Sequence, residues 1–154
     1  MTKIIIGVKG TGKTKTLIEM INSALESSKG SVVCIEKGDN LKLTLSYNCR
    51  LINSDEYMVN DAQALYGFIA GLMASNHDIT DLFIDATFRI CNRDLEAFDK
   101  FIVEADALAA KNDVNLVMTL SMPTENATEN IKKYLWYYCK SGPTIIFNTK
   151  ESWG

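Results

Sequence analysis

The chain has 154 residues, a net charge of −3, 47 % apolar residues, two prolines and one histidine. That fits one globular domain, 1–154, with a core of its own, and excludes disorder and a disulfide-stapled scaffold. Three arginines (Arg50, Arg89, Arg93) and scattered lysines make no basic stripe, and no stretch reaches the ~20 apolar residues that span a bilayer. Direct nucleic-acid binding and membrane contact are therefore not expected, and with no secretory leader in MTKIII the expected location is cytoplasmic.

Lys3–Gly7 (KIIIG) is a β-branched run without alternation, as in a central parallel strand. Lys13–Ser27 predicts a helix with Leu17, Ile18, Ile21, Ala24 and Leu25 on one stripe, closed by Gly30 as C-cap. Ser31–Glu36 is a second buried strand. Leu41–Ile52 reads as two short edge strands, LKLTL and CRLI, around a turn at Tyr47-Asn48. Asp61–Ser75 is an apolar helix whose Gly67 and Gly71 share a face, which predicts close packing on the sheet. Asp81–Asp85 is a third strand and Asp94–Lys111 an amphipathic helix carrying Leu95, Phe98, Ile102, Ala105 and Ala109. Val114–Leu120 is the fourth strand, Glu125–Lys140 a helix, and Thr144–Phe147, after Gly142-Pro143, the fifth core strand. Strands alternating with helices predict an α/β fold, a parallel sheet with helices on both faces. Cys34, Cys49, Cys91 and Cys139 form no CxxC pair, and His77 has no ligand partner at metal spacing. Cys34, in an apolar run, and Cys139, in the last helix, read as small core hydrophobes.

Between the first strand and first helix, Gly7–Thr14 reads GVKGTGKT, the pattern GxxxxGK[ST]. Gly7, Gly10 and Gly12 let the backbone turn tightly and bring its N–H groups to a polyphosphate. Thr11 and Lys15 contribute N–H groups in the loop and in the first helical turn, where the helix dipole favours an anion. Lys13 reaches the β- and γ-phosphates, and the Thr14 hydroxyl ligates Mg²⁺. Lys9 reads as solvated. The expected cofactors are ATP and Mg²⁺.

Asp85 ends the third strand and is the candidate second Mg²⁺ carboxylate; its plainer role is a strand-end turn. The next residues are Ala86 and Thr87, so no glutamate follows to orient water. Glu36, at the carboxyl end of the second strand in CIEKGD, is the candidate base, with a solvated loop carboxylate as the alternative. Thr119 and Ser121 end the fourth strand, where a polar group can sense the γ-phosphate. Arg89 and Arg93 are candidate transition-state charge stabilisers or ordinary surface ion-pair residues.

These motifs resemble the additional-strand division of P-loop NTPases, in an order of parts similar to the RecA-like, FtsK/HerA-like and PilT-like ATPases. VVCIEKGD, CRLINSDEY, YGFIAGLMA and FIDATFRICNRDLEAF are similar to small P-loop proteins of clostridia and other Firmicutes, often labelled twitching motility protein PilT or ATP-binding protein. The resemblance implies a three-layer fold with a mainly parallel five-stranded sheet of order 5-1-4-3-2. It also implies a catalytic glutamate after the second strand, matching Glu36. The chain lacks the sensory domain and histidine motifs of the pilus motors, so pilus retraction is not carried over. The extra lysine of the ParA/MinD family is absent too, because Val8 holds its place. An NKxD guanine-reading segment is missing, and three arginines fit small-molecule kinases poorly.

Two functions are expected to compete: a slow or partner-stimulated Mg-dependent ATPase, and a non-hydrolysing, nucleotide-dependent binding module or subunit of a larger assembly. The aromatic segment Tyr134–Tyr138 offers anchors for a protein partner or self-association, or packs on the chain's own end.

Overall fold

The computed structural model describes residues 1–139 and 145–146, with side chains through residue 137. The strands are β1 (Thr2–Gly7), β2 (Ser31–Glu36), β3 (Cys49–Asn53), β4 (Ile79–Ile84), β5 (Asn115–Ser121), β6 (Leu135–Cys139) and β7 (Ile145–Ile146). The helices are α1 (Lys13–Ser27), α2 (Ala62–Ser75), the four-residue α3 (Thr87–Ile90), α4 (Leu95–Lys111) and α5 (Glu129–Tyr134). The architecture is α/β, a largely parallel sheet with helices on both faces.

Successive residues of the central strands serve opposite layers, because a strand's side chains alternate. Ile4 and Ile6 of β1, Val33 and Ile35 of β2, and Leu82 and Ile84 of β4 pack with Leu65 and Ile69 of α2 and Phe98, Ile102 and Ala105 of α4. Ile5, Cys34, Phe83 and Val117 point the other way, onto Leu17 and Ile21 of α1. Strands buried on both faces have no polar side to display, hence their unbroken apolar runs.

Among the described residues the sheet has seven strands in the order β3-β2-β4-β5-β1-β6-β7. Every neighbouring pair is parallel except β6 with β7. This differs from the expected 5-1-4-3-2 on the side of β1 away from β5. That place goes to Leu135–Cys139, not Thr144–Phe147, and the helix expected over Glu125–Lys140 shrinks to Glu129–Tyr134. Trp136, Tyr137 and Tyr138 are good strand formers, and the free edge of β1 supplies the backbone partners they need. A register shift between Ile4 and Ile5 brings Trp136 and Tyr137 to the same layer, their rings 4.3 Å apart. Tyr134, Trp136 and Tyr137 are half-buried. Cys139 accordingly lies in a strand rather than a helix. Gly142-Pro143, Thr144, Phe147 and the ESWG tail lie outside the described residues.

Three local expectations are corrected. LKLTL is a set of turns, with Leu45 N–H donating to the Leu41 carbonyl at 3.0 Å, and CRLIN pairs parallel with β2. A parallel neighbour requires the intervening chain to cross back along the sheet, so no hairpin forms. Gly30 is not a left-handed cap: α1 ends at Ser28 in an extended conformation. A Cβ on Gly30 would stand 2.2 Å from the Asp78 carbonyl oxygen, so close approach of two backbones is what demands glycine there. Gly67 and Gly71 are exposed and, among the described residues, have open space beside them, so they do not pack on the sheet.

Candidate functional site

The carboxyl ends of β1, β4 and β5 open into one cleft of about 1030 Å³. Its residues come from the loop after β1 (Val8, Lys9, Gly10, Gly12), the start of α1 (Lys13, Thr14), the turn after β2 (Lys37, Asn40), the segment from Asp85 to Arg93, and the end of β5 from Thr119 to Pro123. Strand β5 separates β1 from β4, so the strand ends bearing the loop and Asp85 stand apart with Thr119 between them.

The loop turns on two glycines. Gly10 has φ +84° and Gly12 φ +88°, a region that costs a side-chain-bearing residue energy. Gly12 is the N-cap of α1 and supplies no side chain, so the first-turn N–H groups are left to another acceptor. Lys13 is buried, and its Nζ donates to the Val8 carbonyl at 2.8 Å, across the mouth of the loop. Thr11 donates to the same carbonyl at 2.7 Å. Gly7 is the buried last residue of β1, and Lys15 is exposed on α1 and is not among the cleft residues.

Thr14 Oγ1 lies 3.3 and 3.4 Å from the Asp85 carboxylate oxygens, although 71 residues separate them. Thr119 holds Asp85 from the other side, donating to its Oδ1 at 2.6 Å while accepting from the Ala86 N–H at 2.8 Å. The Asp85 N–H donates to the Ile35 carbonyl at 2.9 Å. Backbone and side chain thus fix this carboxylate where the helix begins. Ala86 then takes a left-handed conformation, φ +55°, which turns the chain sharply into α3 and swings Phe88 and Arg89 to the cleft. Arg93, φ +52°, lies on the same wall.

One hydroxyl and one carboxylate fit Mg²⁺, which completes its octahedron with phosphate oxygens and waters. Among the described residues no group of three or more His, Cys, Asp or Glu could hold a metal without such a ligand.

Glu36 does not join this set. It is buried, with Oε1 accepting from the Asn40 N–H at 3.0 Å and Oε2 from the Leu41 N–H at 2.9 Å. Burial raises its pKa above the ordinary carboxyl value, the two N–H donors oppose the rise, and the charges of Asp85 and Asp39 add to it. It is absent from the cleft wall, to which its turn contributes Lys37 and Asn40 instead. Lys37 is tied to Asp55 at 2.6 Å. Thr119, of the two candidate sensors, is buried, whereas Ser121 is exposed at the cleft.

Burial raises the thiol pKa of Cys34, of Cys49 to about 11 and of Cys91 to about 12, so all three stay protonated at neutral pH. No helix among the described residues is long and apolar enough to cross a membrane.

Sequence reasoning missed the grip of Thr119 on Asp85, and Asn40 as part of the cleft. The signal for the first was available, since a hydroxyl at the end of the strand between the two site strands faces whatever ends its neighbour. No family model matches the chain, and no curated protein matches it. The role of the cleft therefore rests on the geometry of its residues.

Proposed function

We propose that the chain binds a nucleoside triphosphate with Mg²⁺ in this cleft and is a slow or partner-stimulated ATPase. The observation that carries the reading is the meeting of Thr14 and Asp85 at 3.3 Å beside the buried Lys13, at the mouth of a glycine-turned helix start. Phosphates are held by the loop N–H groups from Gly10 to Lys15 and by Lys13, which must turn from the Val8 carbonyl to reach them. Thr14 and Asp85 hold the metal, whose chemistry is to neutralise charge on the terminal phosphates. The sequence resemblance to additional-strand P-loop NTPases supports the same assignment. Arg89 lines the wall from which a cation can approach the transferring group.

The position of Glu36 supports a second reading, a binding module whose partner affinity changes with the nucleotide but which does not turn it over. Both of its oxygens are committed to backbone N–H groups, and Asp85 is the one carboxylate among the described residues of the cleft. Titration with ATP, ADP and GTP, each with and without Mg²⁺, together with phosphate release measured on the same samples, tests both readings. Mg-dependent ATP binding with slow phosphate release is expected. Binding without release leaves the module, and no binding of any triphosphate overturns both.

A further inference from the structure

The charge of the cleft is out of keeping with the rest of the chain. The protein has 16 Lys and Arg against 19 Asp and Glu. Yet the described cleft residues include five cations, Lys9, Lys13, Lys37, Arg89 and Arg93, and one carboxylate, Asp85. Lys13 belongs to the phosphate loop and Lys37 is paired with Asp55. Lys9, Arg89 and Arg93 make no ion pair with a carboxylate among the described residues. Cations gathered from two separate elements around one cleft repel each other, and an anion between them removes that cost.

A Mg-bound triphosphate does not use these three up, because the loop N–H groups, Lys13 and the metal already answer its charge. The cleft, at about 1030 Å³, also stands at the top of the range of roughly 300–1,000 Å³ that small-molecule sites occupy. Its arginine-bearing wall includes apolar surface as well, from half-buried Phe88 with Met122 and Pro123. The Phe88 ring is braced edge-on against buried Phe98 at 5.6 Å, so that surface is firm.

We propose that this wall is a second subsite, which takes a small organic phosphate monoester as acceptor of the terminal phosphoryl group. The inference rests on the nucleotide reading above. Three arginines are few for a small-molecule kinase, but two of them line this cleft with Lys9 and match a dianionic head group, and Phe88, Met122 and Pro123 meet its organic part. The acceptor class follows from what the described residues of the cleft lack. An alcohol acceptor needs a base to take its proton, but Asp85 is engaged by Thr14 and Thr119, and Glu36 is turned to the backbone. A phosphate monoester oxygen is already ionised. It attacks the γ-phosphorus and forms a new P–O bond. The bond from the γ-phosphorus to the β–γ bridging oxygen breaks, and its electron pair leaves with the nucleoside diphosphate. No proton has to move.

The test is calorimetry on the full chain saturated with Mg-ADP, titrated with inorganic phosphate, ribose 5-phosphate and the common nucleoside monophosphates. Phosphorus NMR with Mg-ATP then follows transfer. Saturable one-to-one binding of an organic monophosphate, tighter than inorganic phosphate, is expected, with a new diphosphate appearing as ADP forms. Arg89→Gln and Arg93→Asn should each weaken the monophosphate at least tenfold more than they weaken Mg-ADP. Asparagine tolerates the left-handed backbone at position 93, so the second variant removes charge without forcing the turn. Mg-ADP binding with no saturable monophosphate overturns the subsite and leaves the nucleotide reading standing. Binding without a new diphosphate overturns the acceptor role. Arginine variants that weaken both ligands alike return the arginines to the nucleotide, and saturation by single-stranded nucleic acid instead overturns the small-molecule assignment. Failure of Mg-ADP itself to bind removes both readings together.

Discussion

Glu36 and Asp85 stand at nearly the same height on adjacent strands, since Ile35 pairs with Ile84, yet they do opposite things. Both follow a buried apolar strand, and either could have been read as the carboxylate of the site. After Glu36 the chain turns back at Gly38, φ +93°, and presents two N–H groups to the carboxylate just passed. After Asp85 it leaves through left-handed Ala86 into α3, and the carboxylate is met by hydroxyls from α1 and β5. A strand-end acid is therefore assigned by what the following residues do with their backbone donors, more than by its place on the strand.

That contrast can be broken from either side. The largest effect is expected at Glu36→Ala, which leaves the buried Leu41 N–H and the part-buried Asn40 N–H without their acceptor. Denaturant unfolding should show a loss of about 3 kcal/mol, within the range for one buried and one part-buried donor left unsatisfied. A loss of Mg-ATP turnover with unchanged stability would instead make Glu36 the base. Asp85→Asn should act in the opposite sense. It keeps an oxygen for Thr119 while losing the charge proposed to hold Mg²⁺, so Mg-ATP affinity should fall about a hundredfold, ~2.7 kcal/mol. Unfolding should move much less, and equal affinity with and without the aspartate would remove it from the metal site.

The smallest effect is a pH dependence. The Glu36 carboxyl holds its proton more firmly in the folded chain than at its ordinary value of 4.5, because burial disfavours the charge. The folded state then binds more protons than the unfolded one between those two values, so the Glu36 contribution to stability declines as pH rises through that window. Denaturant midpoints compared with Glu36→Gln should diverge there, the wild type losing ground as pH rises. A wild type that gains instead would mean that the two N–H donors outweigh burial.

The glycine loop was legible in the sequence because each of its parts is local: an apolar β-branched run, glycines at the turning points, and an amphipathic stripe behind them. The place of Asp85 at the end of its strand was legible for the same reason. The role of Glu36 was not, because it depends on the turn at Gly38–Asn40 folding back within five residues, and the same letters also describe a solvated loop. Strand β6 was misread as helix because it runs on from ENIKKY without a breaker, although Trp136-Tyr137-Tyr138 already had strand character. Gly67 and Gly71 share a helix face as their spacing says, but spacing does not reveal which face the sheet covers. The gathering of Arg89 and Arg93 at the cleft was legible only in part, because Arg93 lies beyond the end of α3 and reaches the wall through a left-handed backbone.

Calorimetric titration of wild type and Lys13→Ala with Mg-ATP tests the central claim most directly. Saturable one-to-one binding by the wild type, weakened at least a hundredfold in a variant that still unfolds cooperatively, is the result expected of a loop that holds phosphates with Lys13 at its base. Equal affinity in the two proteins, or no heat of binding in the wild type, would contradict it.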